Sequence, residues 1–465
     1  MAGASRMTDM PAPAVATVLR AVRDAFRAVT AIPGSASAPV RIVIALSGGR
    51  DSMALLDAAA TLAPELGLTL SALHVHHGLS ANADAWAAFC GDECARRGVP
   101  LAVHRAVIRR AAGESLEAQA RAARYAAYAA ADADVVVLAH HADDQAETLL
   151  LQLLRGAGPH GLAAMPVRRA MRQGPALLRP FLALPRSTID AYAAARGIAW
   201  VDDESNANTG VKRNFVRHDV APRLAAAFPG YPATLVRAAA HQAEAARLID
   251  ELAQHDAQGA VADDPIAGVT LDRAALIALA ARAPHRARNL LRWFLRCHEL
   301  AAPSSARLAA MLDQLTRAAP DAKVRLAHAE AEVGFHRGRI VVHAPPVAPF
   351  AVIWHGEPLL ALPHGTLEFA SCNGEGVARA ALDAAAVTVR SRAGGERIQL
   401  ARDRPRRALK GILQDAGMPH WQRESLPLVF CGDALAVVPG VGVDAAFRAA
   451  PGTPGYEVRW RPAAP

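Results

Sequence analysis

Two stretches of this 465-residue chain hold residue types and spacings that could do chemistry. The first is Ser47-Gly48-Gly49-Arg50-Asp51-Ser52. Adjacent glycines allow a sharp turn and a close backbone approach to a ligand. Free amides at the start of the following helix, at the positive end of its dipole, suit a phosphate. Ser47 and Ser52 add hydroxyl donors. Asp51 is the odd member, because a carboxylate among phosphate donors repels unless a cation lies between. That points to Mg²⁺ bridging to a nucleotide. The spacing is not GxxxxGK[ST], and the lysine of that loop is absent. The second stretch is His140-His141-Ala142-Asp143-Asp144-Gln145-Ala146-Glu147-Thr148. Asp144 and Glu147 lie one helical turn apart and can face the same ligand. Two carboxylates there could hold Mg²⁺, hold an ammonium group, or serve as a general base.

Each stretch follows an apolar strand and opens a helix. Arg41 to Leu46 is short and rich in β-branched residues, and Met53 to Leu56 starts a helix. Asp134 to Ala139 runs into the second stretch, which continues as the apolar helix Leu149 to Leu154. Between them lie strands at Leu68–Val75 and Leu101–Val107 and helices at Asn82–Arg97 and Ser115–Ala130, the latter with Ser115 as N-cap. This alternation predicts an α/β domain with a parallel, Rossmann-like sheet, whose ligands sit beyond the carboxyl ends of the strands. His74, His76 and His77 then fall beside the glycine turn, and His76 is the expected nucleotide contact. Glu117, Arg121 and Arg124 can share one face of their helix. They form a surface salt-bridge ladder, or they aim an arginine at nucleotide phosphate.

The character of the chain changes at Phe228-Pro229-Gly230-Tyr231-Pro232. A long helix is expected over Thr234–Ala257, a loop over Gln258–Gly268, and three further helices before short strands near Ala331–Phe335 and Arg339–His343. Beyond the linker Pro345–Pro349 the pattern is short β segments. The expected domains are an N-terminal extension (1–38, its first 14 residues disordered and Pro33–Pro39 a linker), a nucleotide-binding domain (39–227), a mostly helical domain (228–344) and a β-rich α+β domain (350–465).

Two stretches are basic. Lys212-Arg213-Asn214-Phe215-Val216-Arg217-His218 interleaves cations with an aromatic ring, which suits a phosphate backbone and a base face. Arg390 to Lys410 carries eight cations, including Arg402, Arg404, Arg406, Arg407 and Lys410, against only Glu396 and Asp403. With a net charge of +8 and a pI near 9.7, an RNA partner is expected. Five scattered cysteines make no disulfide framework and no CxxC pair. No apolar run is long enough to span a bilayer, and the N-terminus lacks a signal-peptide layout, so a cytoplasmic protein is expected.

The glycine turn resembles the PP-loop, SGGxDS, of the ATP pyrophosphatases. The order of motifs is similar to one family of that group, the tRNA(Ile)-lysidine synthases. The likeness rests on LSGGRDSMALL, HVHHGLS, EAQARAARYAAY, LAHHADDQAETLLLQLLRGAG, DDESN, KRNFVRHDVAPRL, SRAGGERIQL and RRALKGILQDAGMPHWQR. It spans nearly the whole chain beyond about the first 38 residues, and Arg50 fills the variable position of the loop. It implies that ATP adenylates the C2 oxygen of the wobble cytidine in the CAU-anticodon isoleucine tRNA. The ε-amine of L-lysine then displaces AMP, and codon reading changes from AUG to AUA. Ser47, Gly48, Gly49, Arg50, Asp51, Ser52 and His76 would hold ATP. Asp51 and Asp144 would place Mg²⁺, and Arg121 or Arg124 would stabilise the leaving pyrophosphate. Asp144 and Glu147 would bind Mg²⁺ or the lysine ammonium, one of them taking its proton. Lys212, Arg213, Asn214 and Arg217, with the Arg402–Lys410 run, would contact tRNA. No membrane partner is expected, and a homodimer is the oligomeric expectation. Two other readings stay open: a tRNA thiolase of the same superfamily, which would need a reactive cysteine, and a non-catalytic RNA-binding protein with a degenerate nucleotide fold.

Overall fold

The computed structural model describes residues 11–30, 39–108, 116–204, 210–264, 267–319, 322 and 324–462. The Ser115 cap, residues 1–10, Pro33 to Ala38, and Ser205 and Asn206 of the acidic turn lie outside the described residues. The chain divides into two compact units, Met1–Arg247 and Leu248–Pro465. The division falls inside the long helix Tyr231–Ala257 rather than at Phe228.

The first unit is built on a six-stranded sheet. Its elements are α1 (Pro11–Thr30), β1 (Arg41–Ala45), α2 (Arg50–Leu62), β2 (Thr69–His76), α3 (Ala83–Arg96), β3 (Leu101–Arg105), α4 (Leu116–Ala129), β4 (Val135–Val137), α5 (Ala142–Leu153), α6 (Pro159–Leu162), β5 (Arg168–Arg169), β6 (Ala176–Leu178) and α7 (Arg186–Ala195). The strand order is β3-β2-β1-β4-β6-β5, parallel except for the edge strand β5. The chain winds outward from β1 through β2 to β3, then returns to place β4 on the other side of β1. That reversal opens a crevice beyond the carboxyl ends of β1 and β4, where α/β sheets bind ligands. The PP-loop leaves β1 and the acidic stretch leaves β4. The topology thus joins two motifs about ninety residues apart in sequence.

The sequence sets the first 38 residues apart. In the structure α1 belongs to the core. Val18, Val22, Phe26 and Val29 form one helical stripe packed into the cluster that holds Ile42, Ile44, Met53 and Leu56. Phe26 is fully buried. Phe26→Ala should therefore cost about 3–5 kcal/mol and lower the melting temperature by roughly 10 °C. An unchanged thermal transition would mean that α1 is dispensable.

In the second unit, helices Arg273–Arg282, Pro284–Cys297 and Ser305–Arg317 share a core with an antiparallel five-stranded sheet. The loop expected over Gln258–Gly268 contains a strand, Val261–Asp264, paired with Gly268–Asp272. Its two adjacent aspartates hide it from any apolar pattern, and the partner strand supplies its register. Three further sheets follow among the described residues. In one of them Gly365–Asn373 and Pro454–Pro462 pair over nine residues. No described helix is long and apolar enough to cross a membrane.

Candidate active site

The chain leaves β1 at Ala45 and turns through Gly48, whose φ of +84° only glycine adopts without strain. The turn is fastened from several sides. Ser52 Oγ donates to the Gly49 carbonyl (2.8 Å) and accepts from the Ser47 amide (3.2 Å). The Gly49 amide donates to Ser47 Oγ (3.3 Å), which lies 3.0 Å from Ser52 Oγ. The Val201 amide donates to the Gly48 carbonyl at 3.0 Å. Burial pushes the His74 imidazole down, and its Nδ1 donates to the Leu46 carbonyl at 2.9 Å. The first-turn amides of α2 have no acceptor within the helix and remain for an anion. Both serine hydroxyls build the turn that presents those amides. Arg50 pairs with Asp190 (2.9 Å) and with Asp51 (3.6 Å) and lies over the Trp200 ring.

His141 joins the two motifs. Its imidazole is 3% exposed and sits 3.6 Å from Asp51, 3.6 Å from Asp143 and 3.5 Å from Asp144. Burial by itself would lower its pKa, but pairing with Asp143 and Asp51, and the charge of Asp144, raise it to about 10. His141 is thus an imidazolium held among three carboxylates. Burial likewise pushes Asp51 up, and pairing with His141 together with the Arg50 charge outweighs it and holds the carboxyl below its ordinary range. Asp51 Oδ1 is a buried oxygen with no hydrogen-bond partner. A hard oxygen donor of this kind fits Mg²⁺. No group of three or more metal-ligating side chains exists among the described residues, so the remaining ligands would come from nucleotide and water.

Asp144 and Glu147 face one way, as their spacing requires, but they meet two guanidiniums. Arg213 donates to Glu147 Oε2 (2.9 Å) and Asp144 Oδ1 (3.1 Å). Arg217 donates to Glu147 Oε1 (2.7 Å) and Oε2 (2.9 Å) and to Asp144 Oδ1 (2.9 Å). Arg217 sits on a π-helical turn, Val216–Val220, that follows the short helix Lys212–Phe215. Asp144 Oδ2 accepts the His141 backbone amide at 3.1 Å, so both of its oxygens are engaged. Burial pushes the Asp144 carboxyl up, yet the charges of His141, Arg213 and Arg217 hold it down to about 2. The sequence assigns Arg213 and Arg217 to RNA and Asp144 to Mg²⁺. The structure places all three in one ion cluster with Glu147. Lys212 and Phe215 stay exposed, and Asn214 is half-buried.

Other expected residues lie around this centre. His76 is buried at the end of β2, its Nε2 3.3 Å from Asp84 and 3.5 Å from Arg105. Burial and the Arg124 charge push His77 down to about 4. Arg121 donates to the Tyr125 hydroxyl (3.0 Å) on its own helix. In the second unit, Arg402, Arg404 and Lys410 are exposed with no ion pair among the described residues. Arg406 pairs with the fully buried Asp444 (2.9 Å) and Arg407 with Asp415 (2.7 Å).

Three family models match the chain: a PP-loop domain over residues 22–224, the TilS substrate binding domain over 275–341 and the TilS substrate C-terminal domain over 387–460. A protein of Nitrosomonas europaea named tRNA(Ile)-lysidine synthase is 44% identical, covering 91% of this chain and 92% of that one. The chain belongs to the tRNA(Ile)-lysidine synthase family. Proteins of the same name from Ralstonia nicotianae (42% identical, 91% of this chain, 93% of that one) and Chromobacterium violaceum (41%, 91% and 95%) agree.

Within this lysidine-synthase frame, sequence reasoning overlooks two histidines. His141 is visible only as part of a dense polar run, and His74 only as a strand-end residue. Their acceptors come from other elements: Asp51 on α2 for His141, and Leu46 for His74. A Cβ on Gly48 would lie 2.9 Å from Val201 Cγ2 and 3.2 Å from Cys90 Sγ. Gly48→Ala should therefore raise the KM for ATP about tenfold through backbone strain of roughly 1–2 kcal/mol. The KM for lysine serves as the control, and equal KM values for ATP in both proteins would refute this role of the turn.

Proposed function

We propose that this chain joins L-lysine to C2 of the wobble cytidine in the CAU-anticodon isoleucine tRNA. The reading is supported by family membership over nine-tenths of the chain together with the convergence of both motifs on His141. The cytidine O2 attacks the α-phosphorus of ATP, and pyrophosphate leaves. The lysine ε-nitrogen then forms its bond to C2, the C2–O bond breaks, and AMP departs.

The PP-loop amides would bind the phosphates, and Asp51 would hold Mg²⁺ through Oδ1, which has no hydrogen-bond partner and lies 3.6 Å from Arg50 Nε. The ion supplies neutralisation of phosphate charge. Arg124, close enough to act on His77 at the end of β2, would face the departing pyrophosphate. A carboxylate held near 2 is a weak proton acceptor, so Asp144 would serve as counter-charge for the lysine ammonium. Glu147 would take the proton that the amine must lose before it attacks. An ammonium reaches these acids by displacing a guanidinium, and a displaced Arg213 or Arg217 becomes available to phosphate. We read residues 39–227 as catalytic and 228–344 and 350–465 as tRNA-binding, with Lys212 and the exposed Arg402, Arg404 and Lys410 as phosphate contacts. The substrates belong to translation, which favours the cytoplasm.

The thiolase reading is disfavoured on chemical grounds. Cys90 and Cys94 are buried, and burial pushes their thiols up to about 12 and 11. Neither supplies a thiolate at neutral pH. The direct test is ATP-dependent incorporation of labelled lysine into the CAU-anticodon isoleucine tRNA, with elongator methionine tRNA as control. Labelling of the first alone is expected. Pyrophosphate release without lysine incorporation would transfer the reading to another nucleophile.

A further inference from the structure

Between Glu147 and Asp190 the chain carries six arginines and no carboxylate. The β5–β6 hairpin at the edge of the sheet lies in this stretch, with Arg168 and Arg169 exposed on β5. Two features fix its position. Gly174 at its tip has φ +83°, and a Cβ there would lie 2.1 Å from the Ala129 carbonyl oxygen of α4. Arg179, 2% exposed, donates to the Pro166 carbonyl (2.8 Å) behind β5, and its backbone amide bonds the Val167 carbonyl (2.8 Å). The hairpin is thereby held against α4, and Arg169 comes over the Tyr125 ring at 5.9 Å. Arg121 approaches the same ring at 4.9 Å.

Arg179 also hydrogen-bonds the Tyr125 side chain, so Arg121, Arg169 and Arg179 gather about one phenol, and none has a carboxylate partner among the described residues. Arg179 Nε is buried without any hydrogen-bond partner. Like charges repel, and a buried cation without a counter-ion is costly, so such a gathering calls for an anion from outside the chain. Arg213 and Arg217 cannot fill the same role while they neutralise Asp144 and Glu147. Strand β6 adjoins β4, and Arg121 and Arg179 act on His140, the residue before His141. The face therefore borders the catalytic centre.

We propose that the β5–β6 hairpin and the exposed side of α4 form a phosphodiester-binding face for tRNA, with Arg121, Arg168 and Arg169 as its contacts. The inference rests on the lysidine-synthase reading and names where that substrate's backbone lies on the catalytic unit. Arginine is suited to the task, because its planar fork binds phosphate bidentately and stacks on aromatic faces. Guanidiniums held by stacking on Tyr125 lose little further freedom on binding.

The test is the affinity of the full chain for the isoleucine tRNA, measured at several salt concentrations for wild type, Arg169→Glu and Arg168→Glu/Arg169→Glu. Both arginines are exposed, so folding should survive, and circular dichroism checks it. The double variant should bind about tenfold more weakly or worse, and its log–log salt slope should be shallower by about 0.7–0.9 per lost contact. The KM values for ATP and lysine should hold. Arg169→Lys, which keeps the charge, should retain most of the affinity. Unchanged affinity and slope in the double variant would overturn the proposal. So would an increased KM for ATP with intact tRNA binding, since the cluster would then serve pyrophosphate. Failure of the wild-type chain to incorporate lysine would strike the parent reading instead, and the salt slopes would still report on this face.

Discussion

Glu147→Gln is expected to abolish lysine transfer and also to loosen the catalytic unit. Glu147 is 4% exposed and meets both Arg213 and Arg217. Glutamine keeps the shape but carries no charge and cannot take a proton. Two guanidiniums would then share Asp144 alone, which should cost about 3 kcal/mol of stability. Loss of the proposed general base should add a fall of about 100- to 10,000-fold in the amine-attack step. Adenylation, followed as pyrophosphate release, should suffer far less. The pairing can be isolated with a double-mutant cycle. Glu147→Gln and Arg217→Gln should show a coupling of about 2 kcal/mol in chemical denaturation. A coupling below about 0.5 kcal/mol would mean that the four charges are neighbours without being partners.

Asp51→Asn should act on the other half-reaction. The amide preserves volume but removes the anionic oxygen that would hold Mg²⁺, and it removes one of the three carboxylates around His141. Pyrophosphate release should fall by about 100- to 1,000-fold. Raising Mg²⁺ should recover part of that loss, because a weakened site is filled at higher concentration. Wild-type rates with no response to added Mg²⁺ would remove Asp51 from the metal-binding role. Together the two variants should separate the steps: Asp51→Asn is expected to block activation of the base, and Glu147→Gln to block use of the activated base.

The chemistry of both motifs is local, which is why it is legible in the chain. Glycine at Gly48 and Gly49, hydroxyls at Ser47 and Ser52, and carboxylates one helical turn apart at Asp144 and Glu147 are all set by residues within a few positions of each other. The parallel sheet is legible too, since apolar strands alternating with helices leave few other arrangements. Partnership across the chain is another matter. Arg213 and Arg217 look like RNA contacts because a run of cations next to an aromatic is the ordinary mark of one. Only the fold brings them onto acids some seventy positions earlier. His141 gains Asp51 as a third carboxylate neighbour, beside Asp143 and Asp144 of its own stretch, because β1 and β4 are adjacent, and α1 joins the core because its apolar stripe finds the helices around β1. The edge strand Arg168–Arg169 and the strand Val261–Asp264 have no pattern of their own and exist through hydrogen bonds offered by their neighbours. Residue types and local spacing establish which groups could bind phosphate, carry charge or accept a proton. The fold settles which charges neutralise one another and which stay free for substrate. Coulomb pairing and burial depend on distance in space, and that distance is fixed only when the strands take their order.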